Sequence, residues 1–192
     1  MPPLILASSS RYRAELLQRL GLPFEQVAPA IDETRGKDEL AADYVARLAR
    51  DKAAAVAGTH PGAIVIGSDQ CSECRGEILG KPHTEARAIE QLQRSAGQRV
   101  TLWTAVAVHD PSSGRARVET VPTEVQFRRL GAEAIRRYVA QEQPLDCAGA
   151  FRAEGLGIAL FEKIEGSDPN ALIGLPLIAL VRLLSQLGIV LP

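Results

Sequence analysis

An α/β fold, with a mixed sheet and helices packed on it, is the class this sequence predicts. Short apolar runs of strand length alternate with stretches of helical periodicity along the whole chain. Glycine and proline punctuate the boundaries between them. Only 4% of the residues are aromatic while 46% are hydrophobic, so the core is aliphatic, built from Leu, Ile, Val and Ala.

The first strand is the apolar run Leu4–Ala7, interrupted by Ser8, Ser9 and Ser10. Leu16, Leu17 and Leu20 then fall at helical spacing, with Gly21 as the stop. A second short strand follows at Phe24–Ala28, and 32–40 is polar and loop-like. From Ala41 to Ala57 a helix is predicted, with Val45, Leu48, Ala49, Lys52, Ala53 and Val56 near one stripe. Ala63–Gly67 is a buried strand that Cys71 continues, with Cys74 near its turn. Gly76 and Gly80-Lys81-Pro82 mark turns. Thr84 is a favourable N-cap for a helix reaching about Ala96 and ended by Gly97. Arg99–His109 and Arg117–Arg128 read as a hairpin around the turn at Pro111–Gly114. A helix over Gly131–Gln141, a strand over Leu156–Ile164, a loop over 165–170 and a helix over Leu175–Leu187 complete the order. The linking stretches are short, which predicts one domain over residues 1–192 with a cleft.

With 22 basic and 23 acidic residues the net charge is −1, which argues against broad nucleic-acid binding. No apolar run approaches the roughly 20 residues of a membrane span. The N-terminus lacks the pattern of a secretory signal, so a cytoplasmic location is expected. Three cysteines argue against a disulfide framework. Cys71 and Cys74 have the spacing of a metal or redox pair, but no second Cys or His pair accompanies them at zinc spacing.

Several residues admit both a chemical and a plain structural role. A strand that ends in serines and opens a helix gathers hydroxyls, backbone N–H groups and the positive end of the helix dipole, so Ser8 and Ser10 form either an anion site or a simple cap. Arg11 and Arg13 add positive charge there. Asp69, at the end of a buried strand, is either a metal ligand or general base, or the closing group of a local turn. Lys81, between Gly80 and Pro82, is a held phosphate ligand or a solvated turn residue. Lys52 either extends past the core to water or reaches towards an anion. Asp32 and Glu33 are surface carboxylates or, with Asp69, oxygen ligands for a hard cation. Glu154, just before Gly155, is an exposed turn carboxylate on local grounds. His60, His83 and His109 lack ligand spacing.

Taken in order, the stretches Leu6-Ala-Ser8-Ser-Ser10-Arg-Tyr-Arg13, Asp32-Glu33, Arg47-Leu-Ala-Arg-Asp-Lys52-Ala, Ile66-Gly-Ser-Asp69, Gly80-Lys81-Pro82 and Gly174-Leu-Pro176 resemble the Maf family of nucleotide pyrophosphatases. The resemblance spans Leu4 to about Leu187. It implies an elongated mixed sheet with two lobes around a deep cleft, in the manner of inosine triphosphatases. It implies hydrolysis of a nucleoside triphosphate to monophosphate and pyrophosphate with a divalent metal, Mg²⁺ or Mn²⁺. By position, Ser8, Ser10, Arg13, Lys52 and Lys81 would hold the triphosphate. Glu33 and Asp69 would hold the metal, with Asp69 also the proton acceptor for the attacking water. A small-molecule nucleotide is the implied partner, with neither nucleic acid nor membrane, and a homodimer is compatible with the sequence.

The chain departs from the commonest family pattern at Tyr12, where the pattern has Arg. It also departs at Gln70, where the pattern has Thr, and at Glu154, where it has Gln. Gly166-Ser-Asp-Pro-Asn170 replaces a common Gly-Ser-Tyr. This combination resembles the branch associated with 7-methyl-GTP, as against the branch acting on dTTP and UTP. A methylated guanine is cationic; an aromatic face attracts it, and a carboxylate accepts from its N1–H and exocyclic amine. Tyr12, Gln70 and Glu154 are therefore the expected base-selective set. The alternatives are a pyrophosphatase for dTTP, UTP or other modified nucleotides, and a nucleotide-binding cell-division regulator without significant turnover.

Overall fold

The computed structural model describes residues 2–191. These form seven strands and five α-helices: β1 Leu4–Ala7, α1 Arg11–Gln18, β2 Glu25–Val27, α2 Ala41–Ala57, β3 Ile64–Cys74, β4 Glu77–Leu79, α3 Glu85–Ser95, β5 Arg99–Asp110, β6 Arg115–Phe127, α4 Ala132–Glu142, β7 Phe161–Gly166 and α5 Leu177–Ser185. The strands make one mixed sheet in the order β2-β1-β3-β5-β6-β7, with β4 paired to β3. β1 is parallel to both β2 and β3, with Leu6 opposite Gln26 and Ile66. β3–β4 and β6–β7 are antiparallel. No helix among the described residues is long and apolar enough to cross a membrane.

The chain divides into two compact units, Met1–Asp69 with Thr104–Val121 and Asp168–Pro192, and Gln70–Trp103 with Pro122–Ser167. The strands β3, β5 and β6 each pass from one unit into the other.

In the first unit the core is aliphatic, as the composition predicts. Leu4 and Leu6 of β1, Leu16 and Leu17 of α1, Ile64 and Ile66 of β3, Val106 and Val108 of β5, and Leu180, Leu183 and Leu184 of α5 are buried together. In α2 the predicted stripe is the buried face, Lys52 included. α2 lies against β3 with no side chain between them at Gly67, where a Cβ would sit 2.1 Å from Ala49 O and 2.8 Å from Ala53 N. In the second unit the few aromatics are concentrated. Phe127, Phe151 and Phe161 pack edge to face with centroids 5.0–5.5 Å apart, the preferred arrangement for ring quadrupoles.

Three elements differ from the sequence prediction. β3 is eleven residues long and runs on to Cys74, so Asp69 sits within the strand and not at its end. β4 is an additional three-residue strand returning from the turn at Arg75-Gly76. The apolar run Leu156–Leu160 is a 3-10 turn and not a strand. It curls because the Gly157 N–H donates to Arg152 O at 3.0 Å, and a Cβ on Gly157 would meet that same oxygen at 2.3 Å. Only Phe161–Gly166 pairs with β6, so the predicted loop begins one residue later than its second member.

Candidate active site

In the first unit the serine turn is a capped helix start. Ser8 is buried, and its Oγ accepts from the Ser10 N–H at 3.1 Å. Ser10 is the N-cap of α1, its Oγ accepting from the Arg13 N–H at 3.4 Å. Gln26 of β2 braces the turn by donating Nε2 to Ser8 O at 2.8 Å and Ser10 O at 3.2 Å. Both hydroxyls therefore serve the local backbone, and the first turn of α1 carries no acidic residue. Arg13 points away from α1 and donates Nε to Gly174 O at 2.9 Å. Burial pulls its pKa down, while the charges of Asp69 and Glu33 push it back up. Ser68 Oγ, fully buried, lies 3.0 Å from the same Gly174 carbonyl and 2.8 Å from Ala105 O. Tyr12 is half-buried, with the Arg11 guanidinium 4.8 Å from its ring centroid and donating Nη2 to its hydroxyl at 2.9 Å.

The centre of the first unit's site is a lysine between two carboxylates. The close approach of α2 to β3 at Gly67 sets Lys52 beside Asp69. Lys52 Nζ lies 2.5 Å from Asp69 Oδ1 and 2.8 Å from Glu33 Oε1. Lys52 and Asp69 are both buried, at 7% and 8% exposure, while the Glu33 side chain is 56% exposed. Burying an ammonium in an apolar helix face is costly unless it is paired, and here two carboxylates pair it.

Glu33 is presented by a loop that α2 ties down. Tyr44 Oη donates to Glu33 O at 2.9 Å. Arg47 grips Glu39 with Nε at 2.7 Å and Nη2 at 2.9 Å, and donates to Thr34 O at 3.1 Å. Asp32 closes a local turn, accepting from the Thr34 N–H at 2.8 Å. The two adjacent acids thus divide, Asp32 to the local turn and Glu33 to Lys52. The Arg47 hydrogen bonds, helped by the Gly36 N–H, hold the Glu39 carboxyl down to about 2 from an ordinary 4.5. A carboxyl whose folded pKa is lowered adds stability above its unfolded value, and that stability is lost as pH falls through the folded value. Glu39→Gln is expected to lower the thermal midpoint slightly at pH 7, and the gap to the parent protein should close between pH 4.5 and about 2. A gap that stays constant over that range in melting curves would rule out this linkage.

In the second unit Gln70 follows Asp69 along β3 and is half-buried. Lys81 is exposed, on an irregular loop held from both sides. Gly80 O accepts from Gln91 Nε2 at 3.1 Å and from the Gly149 N–H at 3.3 Å, and the His83 N–H donates to Leu145 O at 3.0 Å. Glu154 lies at the turn 153–155. The residue is exposed, as the sequence suggests, yet neighbouring protein partly desolvates its carboxyl and raises the pKa, with the charges of Glu142 and Asp146 adding to the rise, against Arg152 and its own backbone N–H. Burial, then Asp146, pushes the Cys147 thiol up to about 12, which keeps it a poor nucleophile near neutrality. Cys71 and Cys74 are buried thiols three residues apart on β3, so their side chains leave opposite faces of the strand and cannot share one metal. No cluster of three or more His, Cys, Asp or Glu that could hold a metal occurs among the described residues.

Of the sequence-predicted residues, contact joins Lys52 with Asp69 and Glu33, and Ser8 with Ser10. Arg13 lies within electrostatic reach of both carboxylates. Gln70, Lys81 and Glu154 belong to the second unit. Sequence reasoning missed Tyr44, Glu39 and Ser68. Tyr44 and Arg47, three residues apart on α2, have the spacing of neighbours on one side of a helix.

The described residues thus define an α/β protein with a mixed seven-stranded sheet and a buried lysine–carboxylate centre. The structure is similar to that of a HAM1 protein from Coxiella burnetii, with a TM-score of 0.54 over 97% of this chain and all of that one, at 16% identity. The chain belongs to the Maf-like protein family, whose model matches residues 3–187. It is 53% identical over 192 residues, the full length of both chains, to the 7-methyl-GTP pyrophosphatase of Pseudomonas aeruginosa. It is 56% identical over 187 residues to that of Alkalilimnicola ehrlichii, covering 97% of this chain and 94% of the relative.

Proposed function

We propose that this protein hydrolyses 7-methyl-GTP to 7-methyl-GMP and pyrophosphate. The observation that carries this is full-length identity above 50% to relatives bearing that activity in their names. The buried Lys52–Asp69–Glu33 centre supports it, because it combines a cation for a phosphate with a carboxylate for water.

Glu33 and Asp69 suit a divalent cation: both are hard oxygen donors, and they already converge on one ammonium nitrogen. Two carboxylates leave the remaining positions to water and substrate phosphates, the usual pattern for Mg²⁺. When bound, such an ion supplies charge neutralisation on the phosphates and Lewis acidity. Lys52 would then exchange its carboxylate partners for a phosphate oxygen. Arg13, oriented through Nε by Gly174, would offer its terminal nitrogens to the triphosphate. The backbone N–H groups at the start of α1, shaped by Ser8 and Ser10, add dipolar donors. Lys81, on its braced loop, would meet a further phosphate. Asp69 would take the proton of the attacking water as the new P–O bond forms and the α–β phosphoanhydride bridge breaks, and pyrophosphate leaves.

For the base, Tyr12 would give an aromatic face to the methylated, cationic ring, worth about 0.5–2 kcal/mol. Arg11 lies on that ring, so the base would use the opposite face or displace it. Glu154 would accept from N1–H and the exocyclic amine, and Gln70 would meet the base edge. The cytoplasm, which holds the nucleotide pool, is the setting this activity requires.

The test is pyrophosphate release with Mg²⁺ and Mn²⁺ from 7-methyl-GTP, GTP, dTTP and UTP. A kcat/KM for 7-methyl-GTP at least about tenfold above the others is expected, equivalent to about 1.4 kcal/mol of discrimination. Preference for dTTP or UTP would move the protein to the other branch. Binding of nucleotide without turnover on any of the four would favour a regulator.

A further inference from the structure

Glu142, the last residue of α4, is nearly enclosed, with its side chain 6% exposed. Its carboxylate pairs with Arg152 Nη2, and its Oε2 accepts from the Leu156 N–H at 2.7 Å. Arg152 and Leu156 flank the turn 153–155, so one carboxylate ties together both ends of the segment that carries Glu154. One helical turn earlier, the buried Tyr138 accepts at its hydroxyl from the Arg152 N–H, at 3.1 Å. α4 thus grips two backbone N–H groups and one guanidinium of the same short segment. Gly155 is part of the fit, because a Cβ there would lie 2.7 Å from Glu142 Oε1 and 2.8 Å from Arg152 Nε. The backbone wraps directly onto the ion pair.

Such a pair is a poor source of stability, since desolvation offsets much of its attraction. Its effect here is to restrict where Glu154 can go. A glutamate on a free turn must lose backbone and side-chain freedom on meeting a ligand, whereas a held one has already lost it. The charges of Glu142 and Arg152 also act on the Glu154 carboxyl, in opposite senses.

We propose that Glu142 and Arg152 are positioning residues for base selection, acting through Glu154, so that α4 helps determine which purine the protein accepts. This rests on the reading of Glu154 as the acceptor for the guanine N1–H and amine. Neither residue touches substrate in this scheme.

The experiment is steady-state kinetics with 7-methyl-GTP and GTP on the parent protein, Glu142→Ala, Glu142→Gln, Glu154→Gln and the double variant Glu142→Ala/Glu154→Gln. In Glu142→Ala the ratio of kcat/KM for 7-methyl-GTP to that for GTP should fall about tenfold, through a higher KM for 7-methyl-GTP. Glu142→Gln keeps an acceptor for the Leu156 N–H and should lose less. The double variant should select no worse than Glu154→Gln alone, since residues acting through one contact are non-additive. A ratio unchanged in Glu142→Ala, or an equal loss on both nucleotides, overturns the proposal; if Glu142→Ala does not fold, an unchanged ratio in Glu142→Gln does so. If Glu154→Gln lowers the ratio while the Glu142 variants do not, positioning alone has failed. If Glu154→Gln also leaves it unchanged, the base-reading role of Glu154 has failed with it.

Discussion

Asp69→Asn is expected to slow pyrophosphate release by about 10²–10⁴-fold, the contribution of one positioned proton acceptor. Nucleotide affinity measured without added metal, where the role of Asp69 as a metal ligand does not enter, should change far less. Asparagine has nearly the same shape as aspartate, and its amide oxygen can still accept from Lys52, which also keeps Glu33 as a partner at 2.8 Å. The fold should therefore persist, as circular dichroism can check. Asp69→Ala is a harsher change, because it leaves a buried ammonium with one half-exposed carboxylate; removing one partner of a buried pair costs about 3–5 kcal/mol. Calorimetric binding of a nucleotide beside a pyrophosphate assay separates the two effects. Should Asp69→Asn keep more than about a tenth of the parent rate, which is below the range for a general base, Asp69 is not the proton acceptor.

Gly67→Ala should produce the largest loss of stability of any single methyl addition near the site. The new carbon would fall 2.1 Å from Ala49 O and 2.8 Å from Ala53 N, both backbone atoms. Backbone cannot rotate aside as a side chain can, so α2 must lift from β3. Overpacking of a well-filled core costs about 1–3 kcal/mol, and a clash with backbone belongs at or above the upper end. Urea unfolding measures this directly, and a loss below about 1 kcal/mol would show that the helix can move freely. Because Lys52 lies between these two alanines, the same displacement should weaken its reach to Asp69. Turnover should fall with stability even though Gly67 has no side chain of its own.

The site was partly legible because its residues break local patterns. Lys52 stood out as a charge on an apolar helical stripe, and Asp69 as a charge in a run of strand-forming residues. Their contact depends on Gly67, whose bare backbone reads in sequence only as an ordinary turn or strand break. The length of β3 was underestimated because Ser68, Asp69 and Gln70 are polar; their positions are set by pairing in the sheet and, for Ser68, by bonds to Ala105 and Gly174 far away in sequence. Leu156–Leu160 misled in the opposite sense, since an apolar run of strand length carries no mark of the Arg152 carbonyl that curls it. The pairing of Glu39 with Arg47 spans eight residues across a loop, a separation for which no simple period exists. Glu142 resembled any charged residue at a helix end until its partners at 152 and 156 were in view.

The Gly174 carbonyl accepts from Arg13 Nε at a sequence separation of 161 and from Ser68 Oγ at a separation of 106. During synthesis, therefore, α1 and β3 leave the ribosome long before the oxygen that orients their polar groups exists. Arg13 and Ser68, both in the first seventy or so residues, thus wait for a partner made about a hundred residues after the later of them. Contacts of such long sequence separation slow folding, because the connecting chain must lose its freedom before they form. The two bonds to Gly174 O therefore close only after the residues around 174 have been made and brought back to α1 and β3.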